Sequence, residues 1–183
     1  MPHRDARFGY HDPKENDRLP SMKALVPAAV LTLAACSAQP PPKLGPGDMP
    51  PAFDAVRLNG THVRFPADYA GKPVVIRFWA DWCRYCEGEM KDIEPVYQRE
   101  KPRGLEVLAV NAGQDRATVT AFIAKLGIGY PALLDEDSKI ARRYGVTGLP
   151  TTYFIGRDGR VAAKQVGELS AAGFEQRVGE LVK

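Results

Sequence analysis

Val74-Val75-Ile76-Arg77-Phe78-Trp79-Ala80-Asp81-Trp82-Cys83-Arg84-Tyr85-Cys86 is the stretch on which the reading of this chain turns. Its first half is a short apolar run, rich in β-branched and aromatic residues and opened by Lys72-Pro73. That is the pattern of a buried strand. After Asp81 the spacing becomes helical, through Glu87-Gly88-Glu89-Met90-Lys91-Asp92-Ile93. The two cysteines therefore stand where a strand gives way to a helix, expected from about Cys83. The first turn of a helix carries unpaired N–H groups and the positive end of the macrodipole. Both favour a thiolate, so a Cys-x-x-Cys pair in this setting reads as a redox pair. The competing reading, half of a zinc site, needs two more ligands at similar spacing, and the sequence has none to give.

Composition narrows the function further. The 183 residues suffice for one domain plus extensions, and the formal charge is +3. No basic run interleaved with aromatics occurs, so nucleic acid is not an expected partner. There are three cysteines and three histidines. His3 and His11 fall in the N-terminal segment, which leaves His62 alone in the body of the chain, beside a turn, where a solvated surface role is expected. Histidine-based metal catalysis and a Cys-His dyad are both poorly supported. Neither a metal nor a cofactor is expected.

The N-terminal region reads as an address. Residues 1–21 are polar and aperiodic, and they are expected to be an over-extended gene start, with translation beginning at Met22. Met22-Lys23 and the uncharged run Ala24 to Ala35 form a signal peptide over 22–35, too short to span a bilayer. The run ends Leu33-Ala34-Ala35-Cys36, which resembles a bacterial lipobox. Lipidation of Cys36 is expected, with ordinary secretory cleavage near Ala38 as the alternative. An acyl-type anchor holds a protein on a membrane without spanning it. The expected location is the periplasmic side of a bacterial membrane, and Ser37 points to the outer one. With Cys36 assigned to lipid, Cys83 and Cys86 remain as a pair, in a compartment where disulfides persist.

Residues 36–51 are rich in proline and read as a tether. The folded domain is expected over 52–183. Ala55-Val56-Arg57-Leu58 and Thr61-His62-Val63-Arg64-Phe65 flank Asn59-Gly60, a type I′ hairpin signal. After the central strand and its helix come a buried strand over Leu105–Asn111 and a helix capped by Asp115. A short strand over Tyr130–Leu134 and a helix over Ser138–Tyr144, ended by Gly145, follow. The chain closes with a strand over Thr151–Ile155, its antiparallel partner over Arg160–Val166, and a helix capped by Ser170. Strands alternating with helices imply an α/β domain with a mixed central sheet and an N-terminal β-hairpin.

A second motif carries the resemblance to a known family. Gly145-Val146-Thr147-Gly148-Leu149-Pro150-Thr151-Thr152 precedes a strand. Together with Trp82-Cys83-x-x-Cys86 it resembles the thioredoxin superfamily. Pro51-Ala52-Phe53, the Asn-Gly hairpin, Gly71-Lys72 and Cys86-x-x-Glu89-Met90 look like the TlpA/ResA-type extracytoplasmic thiol–disulfide oxidoreductases, over about residues 51–183. The resemblance implies a thioredoxin-like fold and a cis Pro150 lying against the active-site disulfide. It also implies that Leu149 and Pro150 hold substrate backbone and that Glu89 accepts the proton of the buried thiol. Cys83, at the helix start, is expected to attack and Cys86 to resolve. Trp82, Arg84 and Tyr85 are expected to shape the docking surface.

The implied partners are protein disulfides and a membrane thiol-reducing electron-transfer protein, with cytochrome c maturation or repair of oxidised proteins as the setting. A monomer is expected. The alternatives are a disulfide oxidase or isomerase and, in another class, a Cu(I) chaperone. A peroxidase is disfavoured because no Thr-x-x-Cys occurs. Three departures from the family pattern stand out. Arg84-Tyr85 is an uncommon dipeptide between the cysteines. Lys91 replaces a proline, and Pro95 follows one turn later, so a bend is expected near Lys91–Pro95. Arg77 stands where relatives carry Asp or Asn. A buried guanidinium needs a partner or a route to water. Glu89 is the expected partner, and snorkelling to the surface is the alternative.

Overall fold

The computed structural model describes residues 43–183. The gene-start, signal-peptide and Cys36 expectations, with the first part of the tether, lie outside the described residues.

The strands are β1 (Phe53–Arg57), β2 (His62–Phe65), β3 (Val74–Trp79), β4 (Glu106–Ala112), β5 (Ala132–Asp135), β6 (Thr151–Ile155) and β7 (Val161–Val166). The helices are α1 (Cys86–Glu100), α2 (Arg116–Leu126), α3 (Lys139–Arg143) and α4 (Ala171–Leu181). One mixed sheet runs β2-β1-β5-β4-β3-β6-β7. Strands β3, β4 and β5 are parallel, while β1 and β6 run antiparallel to their neighbours β5 and β3. This is the thioredoxin-like α/β arrangement that the motifs imply.

Every residue of β3 is buried, because both faces of the sheet are covered. Val75 and Trp79 face a core built with Met90, Ile93 and Tyr97 of α1, Val119 of α2 and Phe174 and Val178 of α4. Val74, Ile76 and Phe78 face a second core with Ile140 and Ala141 of α3 and the rings of Phe53, Tyr144 and Tyr153. The helix caps follow the sequence: Asp115 accepts from Thr118 N and Ser170 from Gly173 N. Helix α1 continues through Pro95 without interruption.

Three local readings change. The β1–β2 turn is not type I′, which requires positive φ at both central residues. Only Gly60 is left-handed, at +85°. Gly60 N donates to Arg57 O and Arg57 N to Thr61 O, both at 2.9 Å, so the loop is the three-residue Leu58-Asn59-Gly60. Second, α1 begins at Cys86, not at Cys83. Cys83 lies in the preceding turn, where Cys83 N donates to Ala80 O and Cys86 N to Cys83 O. Third, the chain joins the fold upstream of Ala52. Leu44 is buried in the second core. Gly47 N donates to Val161 O (2.8 Å) and Val161 N to Asp48 O (2.9 Å), which pins this part of the tether to the start of β7.

Candidate active site

The site is built where β3 ends. Parallel strands deliver their C-terminal ends to one side of the sheet, and the loop after β3 carries the cysteines there. Asp81 and Gln114 hold that loop reciprocally: Asp81 N donates to Gln114 Oε1 (2.9 Å) and Gln114 Nε2 to Asp81 Oδ1 (2.5 Å). Asn111, at the end of β4, donates Nδ2 to the same Gln114 oxygen at 2.9 Å. Gln114 was not recognised from the sequence, because nothing local marks a glutamine after β4 as a brace for a loop 33 residues away.

Cys83 and Cys86 are joined, with an S–S distance of 2.11 Å and Cα atoms 5.3 Å apart. Cys86 is fully buried and Cys83 is 5% exposed. Cys83 is therefore the more accessible sulfur, but it is tucked in rather than standing free at a helix start. Around it the surface is open. Trp82 is 70% exposed, Tyr85 is exposed, and the Arg84 guanidinium lies 5.8 Å from the centre of the Tyr85 ring. Large exposed aromatics cost hydrophobic free energy unless something covers them. Neither Trp82 nor Tyr85 is packed into the core.

The Leu149–Pro150 bond is cis. Pro150 is buried and Leu149 half-buried at the start of β6, next to β3. Pro150 O accepts from Gly167 N (2.8 Å), which joins the proline loop to the end of β7.

Glu89 faces inward from the first turn of α1 and is 7% exposed. Arg77 is 0% exposed, so it does not snorkel. Its Nη2 donates to Glu89 Oε2 at 2.5 Å, and its Nη1 to Thr152 Oγ1 at 3.0 Å. The other Glu89 oxygen accepts from Leu169 N at 3.1 Å. Arg77 Nε is buried without a partner. The pairing of Arg77 with Glu89 was expected from the sequence; Thr152 and the Leu169 amide were not. A cross-strand neighbour and a loop amide become visible only once the register is known. At the helix start Glu87 contacts Lys91 (2.9 Å) and Lys125 (2.7 Å). These cations, through their hydrogen bonds before their charges, hold the Glu87 carboxyl below its usual range.

His62 lies exposed on β2, the edge strand farthest from β3 on that side of the sheet. Among the described residues no group of three or more His, Cys, Asp or Glu could hold a metal ion. The arrangement offers one reactive feature, a disulfide at a strand–helix junction flanked in sequence by exposed aromatics. Its chemistry is thiol–disulfide exchange.

The AhpC/TSA family model matches residues 46–164. The thiol–disulfide oxidoreductase ResA of Geobacillus thermodenitrificans is 34% identical over 135 residues, covering 72% of this chain and 75% of that protein. The ResA of Bacillus subtilis is 32% identical over 124 residues, covering 68% and 69%. A crystal structure assigned as a thiol:disulfide interchange protein DsbE from Chlorobium tepidum superposes with a TM-score of 0.71 at 29% identity, covering 76% of this chain and 99% of that one. A secreted Mycobacterium tuberculosis disulfide oxidoreductase homologous to Escherichia coli DsbE gives 0.65 at 26%, covering 70% and 96%. With its sheet order, its bonded Cys83–Cys86 pair and these relatives, the chain belongs to the thioredoxin-like AhpC/TSA family and is a thiol–disulfide oxidoreductase.

Proposed function

We propose that the protein works outside the cytosol, held to a membrane by lipid on Cys36, and reduces disulfides of periplasmic proteins as a monomer. The observation that carries the reading is the buried Cys83–Cys86 disulfide flanked in sequence by exposed Trp82 and Tyr85. Similarity to a secreted oxidoreductase supports the compartment. Among the described residues no helix is long and apolar enough to cross a membrane.

In the reducing direction the Cys83 thiolate attacks one sulfur of a substrate disulfide. A Cys83–substrate disulfide forms, and the other substrate sulfur leaves as a thiolate that takes up a proton. Cys86 then loses its proton and attacks Cys83 Sγ. The second substrate thiol is released and the Cys83–Cys86 disulfide is restored. The substrate has gained two electrons, which a membrane electron-transfer partner must return to the pair. Leu149 and Pro150 hold the substrate backbone beside the sulfurs, Trp82, Arg84 and Tyr85 cover its side chains, and Glu89 follows Cys86 by one turn of α1. Cytochrome c maturation and repair of oxidised proteins are the settings this chemistry suits.

The direction has a physical ground. Strong disulfide-forming oxidants owe their potential to a stabilised reduced form. An uncompensated cation behind the sulfurs would give that stabilisation. Here the buried cation, Arg77, is matched by Glu89. Trapping tests the order of attack: Cys86→Ser should accumulate a mixed disulfide through Cys83, and Cys83→Ser none. Trapping through Cys86 would reverse the assignment.

A further inference from the structure

The contacts of Arg77 close a ring. The guanidinium holds Glu89 of α1 through Nη2 and Thr152 of β6 through Nη1. Arg77 and Thr152 are directly opposed in the β3–β6 register. Thr152 lies two residues after Pro150. Pro150 O accepts from Gly167 N, and two residues further on Leu169 N donates to the free oxygen of Glu89. The circuit therefore runs Arg77, Glu89, Leu169, Gly167, Pro150, Thr152 and back to Arg77. It joins the helix that carries Cys86 to the loop that carries the cis proline.

We infer that Arg77 is a positioning residue for disulfide exchange with protein substrates: it fixes the distance between the helix that carries Cys86 and the Leu149-Pro150 backbone clamp. Three properties suit it to this. The guanidinium is a planar fork, so two bonds in different directions set an angle as well as a separation. Arg77 and Glu89 are buried, which limits the access of water to a broken link. The ion pair is neutral as a unit, so its field at the sulfurs is that of a dipole rather than of a bare cation. Positioning, more than stabilisation of a thiolate, is what this geometry supplies.

The inference rests on the reading of Leu149-Pro150 as a substrate clamp. A protein disulfide must be held by the clamp and met by Cys83 at once. A small disulfide needs only Cys83. Misplacement by about 1 Å costs up to about a hundredfold in rate where geometry is fixed, and the loss should appear only where the clamp is used.

Two variants cut the ring while keeping the buried charge balance. Arg77→Lys keeps the cation but cannot fork to both partners. Thr152→Val keeps the shape and the ion pair and removes only the link to β6. The reduced protein, carrying each change, is assayed with insulin as the protein disulfide and with 5,5′-dithiobis(2-nitrobenzoate) as the small one. Both variants should slow the insulin reaction by about tenfold while the small disulfide changes less than about twofold. A role confined to stability would lower the melting temperature and leave both rates alone in the folded variants. A role in thiolate chemistry would move both rates together. Either pattern overturns the inference. Pro150→Ala is the control for the clamp. If it slows insulin reduction while Arg77→Lys and Thr152→Val do not, the inference fails alone. If all three leave insulin reduction unchanged, the clamp reading fails and takes the inference with it.

Discussion

Glu89→Leu is the perturbation whose size the structure sets best. The substitution keeps the bulk of the side chain and strands Arg77, which is 0% exposed and has its ion-pair partner 2.5 Å away. Breaking a buried ion pair by removing one member costs about 3–5 kcal/mol, because the other charge stays in a dry site. For a folded segment of ~140 residues each kcal/mol moves the melting temperature by about 4 °C, so the oxidised variant should melt about 12–20 °C lower. Arg77→Met should cost a similar amount, since it strands Glu89 with only the Leu169 amide. Removing both members, as Arg77→Met/Glu89→Leu, leaves no unpaired charge. Replacing such pairs by apolar groups is often close to neutral. The double variant should therefore be no less stable than the worse single variant. Guanidinium denaturation of the four oxidised proteins, followed by circular dichroism, gives the cycle. Additive single-variant losses, or a Glu89→Leu loss under about 1 kcal/mol, would show that the pair is hydrated and that its burial has been misread.

Three other outcomes are expected. Expressed from Met22, the protein should fractionate with membranes, and Cys36→Ser should release it or block its processing; equal membrane association in the serine variant would remove the lipid anchor. Burial holds the Asp135 carboxyl above its ordinary 3.8, against the N–H groups of Ala141 and Ile140 that favour its charged form. The folded state then binds this proton more tightly than the unfolded chain. Its contribution is fully present below about pH 3.8 and lost as pH rises through the folded value. Asp135→Asn should flatten the loss of stability as pH rises above about 3.8, read by urea denaturation at each pH. An unchanged slope would mean that this carboxyl carries none of it. Tyr130 O–H donates to Met90 O of α1 in a buried site at 2.7 Å, so Tyr130→Phe should cost about 0.5–1.5 kcal/mol in the same denaturation experiment.

What was legible in the sequence was what short range decides. The run Val74–Trp79 could only be a doubly covered strand, and Asp115 and Ser170 could cap the helices that follow them with no help from elsewhere. Arg77 was legible for a different reason. A cation on a buried strand must find an anion or a route to water, and Glu89 was the acid that the following helix would bring over it. Most of the misread details depend on partners distant in sequence, while the hairpin turn and the start of α1 turn on local hydrogen bonds. The docking of Leu44 and Gly47 needs the start of β7, more than a hundred residues later, so composition alone made that segment a tether. Gln114 and Thr152 join the site only through the alignment of β3 with its neighbours. The start of α1 moved from Cys83 to Cys86 because the cysteine turn bonds back to Ala80 before the helix begins.

The reduction potential of the Cys83–Cys86 pair tests most directly whether the protein is a reductant. With Arg77 neutralised by Glu89, the buried charge on the strand and helix that carry the pair gives the reduced form little extra stabilisation, and the cation between the cysteines, Arg84, is exposed where solvent screens it. Equilibration with glutathione or dithiothreitol buffers should therefore place the pair close to the thioredoxin value of about −270 mV. A value near about −120 mV, that of a strong disulfide-forming oxidant, would contradict the reducing function and reverse the direction of electron flow assigned here.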